Sequence, residues 1–201
     1  MNAAEQTDMM GTDLQQLMQR GQRLMTGGAD WLVDARRRGA EQVASIPLPD
    51  RKQEAWRYTP VSFLDQAHYQ AIVDGPFDAL RLDDIEDLLL EQRGAVRLVF
   101  VNGYFAPTLS SLASDHQGVV LKTLSGALGD VPPGIRARLD RIADHRHVFA
   151  ALNSALMSDG ACILVSSGTH VQVPIEVLHV SVGLEEPGIS HPRHLVVLED
   201  G

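Results

Sequence analysis

Cysteine is almost missing from this sequence: Cys162 is its one thiol. A lone thiol excludes an internal disulfide, and a thiolate metal site would need other ligand types or a second chain. Basic residues are outnumbered, with 17 Lys plus Arg against 26 Asp plus Glu and a net charge of −9. That deficit argues against a nucleic-acid binder, which displaces counterions with a basic footprint. It argues equally against docking on an anionic membrane surface. Polar or charged residues interrupt every apolar run well short of the roughly 18 residues that a membrane-spanning helix requires. The opening MNAAEQTDMMGTD has no basic segment leading into an apolar one, so no secretory signal is visible and a reducing, cytoplasmic setting is expected. Phosphate-cradling GxxxxGK and GxGxxG motifs are missing, as is the GxSxG nucleophile elbow. What is there is an ordinary globular composition, 44% hydrophobic and 21% charged over 201 residues. Such a chain makes one or two domains and can bury a core.

Residues 12–45 read as two amphipathic helices. Thr12 and Gln15 have capping-box spacing. Leu14, Leu17, Met18, Leu24 and Met25 keep the helical period, Gly27-Gly28 breaks it, and Trp31, Leu32, Ala35, Val43 and Ile46 form a second stripe. Arg36-Arg37-Arg38 reads as a solvated helix face, since three charges are too few for a recognition patch. Pro47 and Pro49 then extend the chain, and Asp50 can cap one turn through Glu54. With only two Trp, three Tyr and five Phe in the chain, Trp56 and Tyr58 mark a packing corner.

Further on, residues 84–92 suggest a short helix with Ile85, Leu88 and Leu89 inward. VRLVFV (96–101) and GVVLK (118–122) suggest strands, and Asn102-Gly103 is a strong hairpin signal because both turn positions need positive φ. Pro132-Pro133-Gly134 precedes a helix with Ile135, Leu139 and Ile142 on one face, and Phe149, Leu152, Asn153 and Leu156 carry the period on until Asp159-Gly160 turns the chain. Beyond Gly160 the pattern is β: 161–166, 169–180 and 194–199. Pro174 lacks a ladder donor and belongs at an edge, bulge or coil corner. About three strands are too few to close a barrel, and a solenoid needs roughly three or more repeats and a cap. The expectation is therefore the front portion of a longer protein, with pairing of the last strand onto a second copy as the alternative.

Candidate chemistry is sparse. His145 and His147 are two apart, which splits them between sides of a helix. His191 and His194 are separated by Pro192. His170 and His179 could approach Cys162 if the fold brought them together, and otherwise all are ordinary turn histidines. Cys162, inside ACILVS, reads as a small buried hydrophobe. Asp83-Asp84 reads as a helix start and Glu185-Glu186 as loop, neither suited to general acid–base work.

Four segments together resemble the SufB/SufD family of iron–sulfur cluster assembly proteins, most closely its SufD branch in the N-terminal portion. They are RKQEAWRYTP (51–60), LVFVNGYFAPTLS (98–110), FAALNSALMSDGACILVSSGTHVQVPIEVLHV (149–180) and HPRHLVVLEDG (191–201). The resemblance implies an α+β fold: an N-terminal helical and mixed region followed by the first turns of a right-handed parallel β-helix, or β-solenoid. The expected divisions are 1–130 for the helical and mixed region, 131–158 for connecting helices and 159–201 for the start of the β-helix. The implied role is a non-catalytic scaffold that pairs with SufB and the ATPase SufC, with a homodimer as a further arrangement. An iron–sulfur cluster would form transiently in the assembled complex. The family's cluster-assembly Cys and His groups and its ATPase-docking surfaces lie in the later β-helix. No catalytic, cofactor-binding or metal residue is therefore assigned within these 201 residues. The alternatives are a β-solenoid enzyme acting on carbohydrate or a general protein-interaction domain. Residues 161–201 contain no aromatic ring for sugar stacking, which disfavours the first.

Overall fold

The computed structural model describes residues 14, 16–61, 69–73, 75, 80–90, 95–112, 117–126, 129–139, 141–143 and 146–200. In chain order its helices are α1 (Gln22–Thr26), α2 (Asp30–Val43), α3 (Pro133–Arg136) and α4 (Val148–Leu156). Its strands are β1 (Gln70–Ala71), β2 (Val96–Val101), β3 (Tyr104–Phe105), β4 (Val119–Thr123), β5 (Ala161–Val165), β6 (Ile175–Val180), β7 (Gly188–Ile189) and β8 (Leu195–Leu198), with 3₁₀ turns at Glu54–Trp56, Leu82–Leu88 and Pro107–Leu109. The chain divides into two compact units that alternate along it. One draws on Met1–Val73, Asp140–Met157 and Leu184–His191, the other on Asp74–Leu139, Ser158–Gly183 and Pro192–Gly201.

The first unit is built on α2 and α4. Leu32, Ala35 and Val43 are buried on α2, as the stripe in the sequence requires. Asp30 in the first turn complements the helix dipole. Gly39 lets the two helices approach closely, because a Cβ there would lie 2.5 Å from the Ala155 nitrogen. The basic run does not form one solvated face. Arg36 is buried, and its Nε donates to the Met157 carbonyl at 2.9 Å while its Nη1 donates to Gly27. A cation is favoured there because Met157 caps the carbonyl end of α4, where the helix dipole is negative. Arg37 and Arg38 are exposed as expected. The aromatic corner is half realised: Trp56 is half-buried with its ring 5.5 Å from that of Phe149, whereas Tyr58 is 84% exposed. The Thr12–Gln15 cap lies outside the described residues. β1 and β7 pair in parallel, Gln70 with Gly188.

The second unit stacks apolar layers around β2. Its strands form two sheets, ordered β3-β2-β6 and β4-β5-β8. β2 is buried on both faces, the environment that a continuous run such as VRLVFV suits. Val99 and Val101 pack with Ile85, Ala106 and Leu109 on one side, and Leu98, Phe100 and Phe105 pack with Ala161 and Ile163 on the other. Asn102 (φ 47°) and Gly103 (φ 88°) make the expected hairpin turn between β2 and β3. Asn102 does more than turn the chain. Its side-chain amide donates to the Val182 carbonyl at 3.2 Å and its Oδ1 accepts from the Val182 N–H at 2.9 Å, extending the β2–β6 pairing by one peptide-like rung.

Two inward assignments fail. Leu88 is 56% exposed because the 3₁₀ turn ends there and the chain extends at Leu89, which packs against the core in its place. Ile142 is 79% exposed because α3 ends at Arg136 and, among the described residues of 137–143, no helix carries its face onward. The strand expected over 169–180 is confined to Ile175–Val180, and Pro174 sits just before it with its carbonyl accepting from the Val96 N–H.

Candidate functional site

The second unit holds a polar cluster on an aromatic platform. β2 and β6 run parallel with Phe100 opposite His179, and the two rings stack with centroids 5.4 Å apart. β5 and β8 also run parallel, with Cys162 opposite Leu195, which places His194 beside Ala161. His194 meets Phe100 edge-on at 5.2 Å. The two histidines, one from each sheet, join by a 2.8 Å contact between their Nε2 atoms. Both histidines are exposed, and Phe100 covers one face of the His179 ring.

The proton positions follow from the partners. The Ala161 N–H donates to His194 Nδ1 at 2.8 Å, so that nitrogen carries a lone pair. A neutral His194 must then hold its proton on Nε2 and donate it to His179 Nε2. His179 is left with its proton on Nδ1. Burial against the apolar layer lowers the pKa of His179, and burial together with the neighbouring His179 charge pulls that of His194 down to about 4.

This polarity is the reverse of a metal-binding pair. Ligating histidines donate their distal N–H to an acceptor and keep the facing lone pair free. Here the distal nitrogen of His194 faces a donor, and the proton lies between the rings. Among the described residues no group of three His, Cys, Asp or Glu side chains is arranged around a common point.

The other sequence candidates fall elsewhere. Cys162 is fully buried on the opposite face of β5 from Ala161, since successive side chains alternate along a strand. Burial, and after it the Asp159 charge, push its thiol up to about 12. It is inert and does not join the histidines. His170 and His147 are exposed, and His145 lies outside the described residues. His191 is buried, its Nε2 without a hydrogen-bond partner among the described residues, and burial drops its pKa to about 4. Asp84 Oδ2 accepts from the Arg81 N–H at 2.8 Å, a cap as expected, and Glu185-Glu186 is exposed loop.

Sequence reasoning missed the role of Asp159. Its buried carboxylate accepts from the Ser125 and Gly160 N–H groups through Oδ1 and from the Phe105 N–H through Oδ2, at 2.8–3.0 Å. Asp-Gly before a β run signalled a turn, but two of the three donors, Phe105 and Ser125, lie 54 and 34 residues away and left no local trace.

Comparison with known proteins points in one direction. The SufBD protein N-terminal region matches residues 10–177. An iron–sulfur cluster assembly SufBD family protein of Synechocystis sp. is 28% identical over 180 residues, covering 89% of this chain and 39% of its own length. The iron–sulfur cluster assembly protein SufD of Escherichia coli is 29% identical over 163 residues, covering 80% of this chain and 35% of its own. A chloroplastic SufBD family protein of Arabidopsis thaliana is 27% identical over 187 residues, covering 86% and 33%. The chain thus spans between a third and two fifths of the length of these relatives. Among the described residues no helix is long and apolar enough to cross a membrane.

Proposed function

The chain belongs to the SufBD family, and from that premise we propose that it is a non-catalytic scaffold subunit for iron–sulfur cluster assembly. Its proposed partners are a SufB-like subunit and a SufC-like ATPase. The observation that carries the reading is the match across residues 10–177. The proposed architecture is α+β, a helical and mixed region leading into the first turns of a right-handed parallel β-helix.

The path of the later strands supports that architecture. Within the second unit β6 runs parallel beside β2, and after β6 the chain returns as β8, parallel beside β5. Cys162 thus meets Leu195 33 residues later. A coil that repeats this circuit offers flat sheet faces and long parallel edges. Two such chains joined along an edge can present thiolate and imidazole groups from both sides to a cluster. The cluster is cargo of the assembly, and nucleotide binding to the ATPase would drive rearrangement through contacts that differ between two states. A cytoplasmic setting suits this chemistry.

Co-expression of SufB-like and SufC-like subunits with the protein extended through the later β-helix, where the family's docking surfaces lie, tests the proposal. The expected result is a stoichiometric complex on size exclusion, while the purified chain alone neither hydrolyses ATP nor holds iron–sulfur colour after anaerobic reconstitution. Elution apart from both partners, as a monomer or a self-dimer, would overturn it. So would a stable, stoichiometric cluster on the isolated chain.

A further inference from the structure

The His179–His194 contact joins the outer strand β6 of one sheet to the residue that leads into β8, the outer strand of the other. Each ring has one basic lone pair when neutral, and each of these lone pairs is already engaged. His194 Nδ1 accepts from Ala161, and His179 Nε2 accepts from His194. A proton arriving on either ring must therefore displace a hydrogen bond. On His179 it sets two N–H groups against each other. On His194 it sets a second N–H against that of Ala161.

We infer that this pair is a proton-operated clasp, closed between β6 and β8 while both rings are neutral and opened by the uptake of one proton. The surroundings leave the rings to respond to each other. On their face of the sheets the neighbours are apolar: Leu98 and Phe100 on β2, Ala161 and Ile163 on β5, Ile175 and Val177 on β6. The charged groups of these elements point away. Arg97 and Glu176 pair at 2.9 Å on the other face of β2 and β6, and Lys122 on β4 lies opposite Cys162, on the far side of β5. Arg193 adjoins His194 along the chain.

The sign is fixed by the direction of the shifts. Rings held neutral in the folded chain bind protons more readily once released, so the closed clasp stabilises the fold above about pH 6.5 and loses that contribution as pH falls toward about 4. His191, also held neutral, adds to the same loss without touching the clasp. A global melting curve cannot separate the two, and a residue-specific probe can.

The test is long-range proton–nitrogen NMR of the intact chain with labelled histidine, from pH 7.5 to 4, following the Ala161 amide in parallel. At pH 7.5 His194 is expected as the Nε2–H tautomer and His179 as Nδ1–H. On acidification both rings and the Ala161 amide should move together, with a shared midpoint below the ordinary histidine value of about 6.5. In His179→Phe, which keeps a ring on Phe100 but offers no lone pair, the Ala161 amide should titrate with His194 alone, at a midpoint displaced from that of the unaltered chain. An Nδ1–H tautomer at His194 would overturn the inference. An Ala161 amide that stays still while the rings titrate would overturn it equally, and both readings come from the unaltered chain.

Discussion

Gly160→Ala should cost at least about 3 kcal/mol and detach β8 from β5, because the added methyl has nowhere to go. Its Cβ would overlap the carbonyl group of Arg193, a backbone obstacle that no rotamer change removes. The approach is locked from both sides. The Arg193 N–H donates to the Asp159 carbonyl at 2.9 Å, and the Gly160 N–H donates to Asp159 Oδ1 at 2.8 Å. The backbone conformation, φ 157°, adds a smaller penalty for a side chain. Gly183→Ala is the control, since nothing lies within 4 Å of a Cβ there and only a few tenths of a kcal/mol are at stake. Urea denaturation of the two variants should separate them clearly. Equal midpoints would mean that the close passage of Arg193 over Gly160 does not exist in solution.

The second large effect belongs to the neighbouring residue. Asp159→Ala should destabilise the chain by about 4 kcal/mol, and Asp159→Asn by about 2–3 kcal/mol. Alanine strands the N–H groups of Phe105 and Gly160 in a buried site and removes the acceptor of the Ser125 N–H at its part-buried edge. Asparagine keeps an acceptor for two of them but turns its own N–H₂ against the third donor, and it removes the charge that strengthens all three bonds. The order matters more than the size: wild type, then Asn, then Ala in chemical denaturation. An Asn variant as stable as the parent would show that the carboxylate is not the common acceptor of these loops.

Local chemistry made some features legible and hid others. Asn102-Gly103 announced its hairpin because the turn needs positive φ at both positions, and few residues tolerate it. VRLVFV read as a strand from its β-branched and aromatic content, which suits a strand buried on both faces. The second role of Asn102, pairing with Val182, was invisible because it depends on where β6 ends, 80 residues on. Arg36 looked like one of three solvated charges. Its burial is decided by the carbonyl end of α4, 121 residues away. The histidines were in view as candidates, but the sequence suggested His170, His179 and Cys162 as the group to meet. Strand alternation puts Cys162 on the wrong face, and the parallel registers of β6 on β2 and of β8 on β5 bring His194 to His179 in its place. Register between distant parallel strands leaves no local signature, so the pair could only be found in the fold.

Delivery of iron–sulfur clusters to an apo acceptor protein is the most direct measurement of the assembly role. The SufB-like and SufC-like partners should be reconstituted anaerobically with sulfide, iron and ATP, with and without this chain extended through the later β-helix, and transfer followed by the acceptor's visible absorbance. Delivery is expected to be several-fold faster with the chain than without it, with no change in that dependence when Cys162 is replaced by alanine, since the buried thiol takes no part. Equal delivery with and without the chain would contradict it.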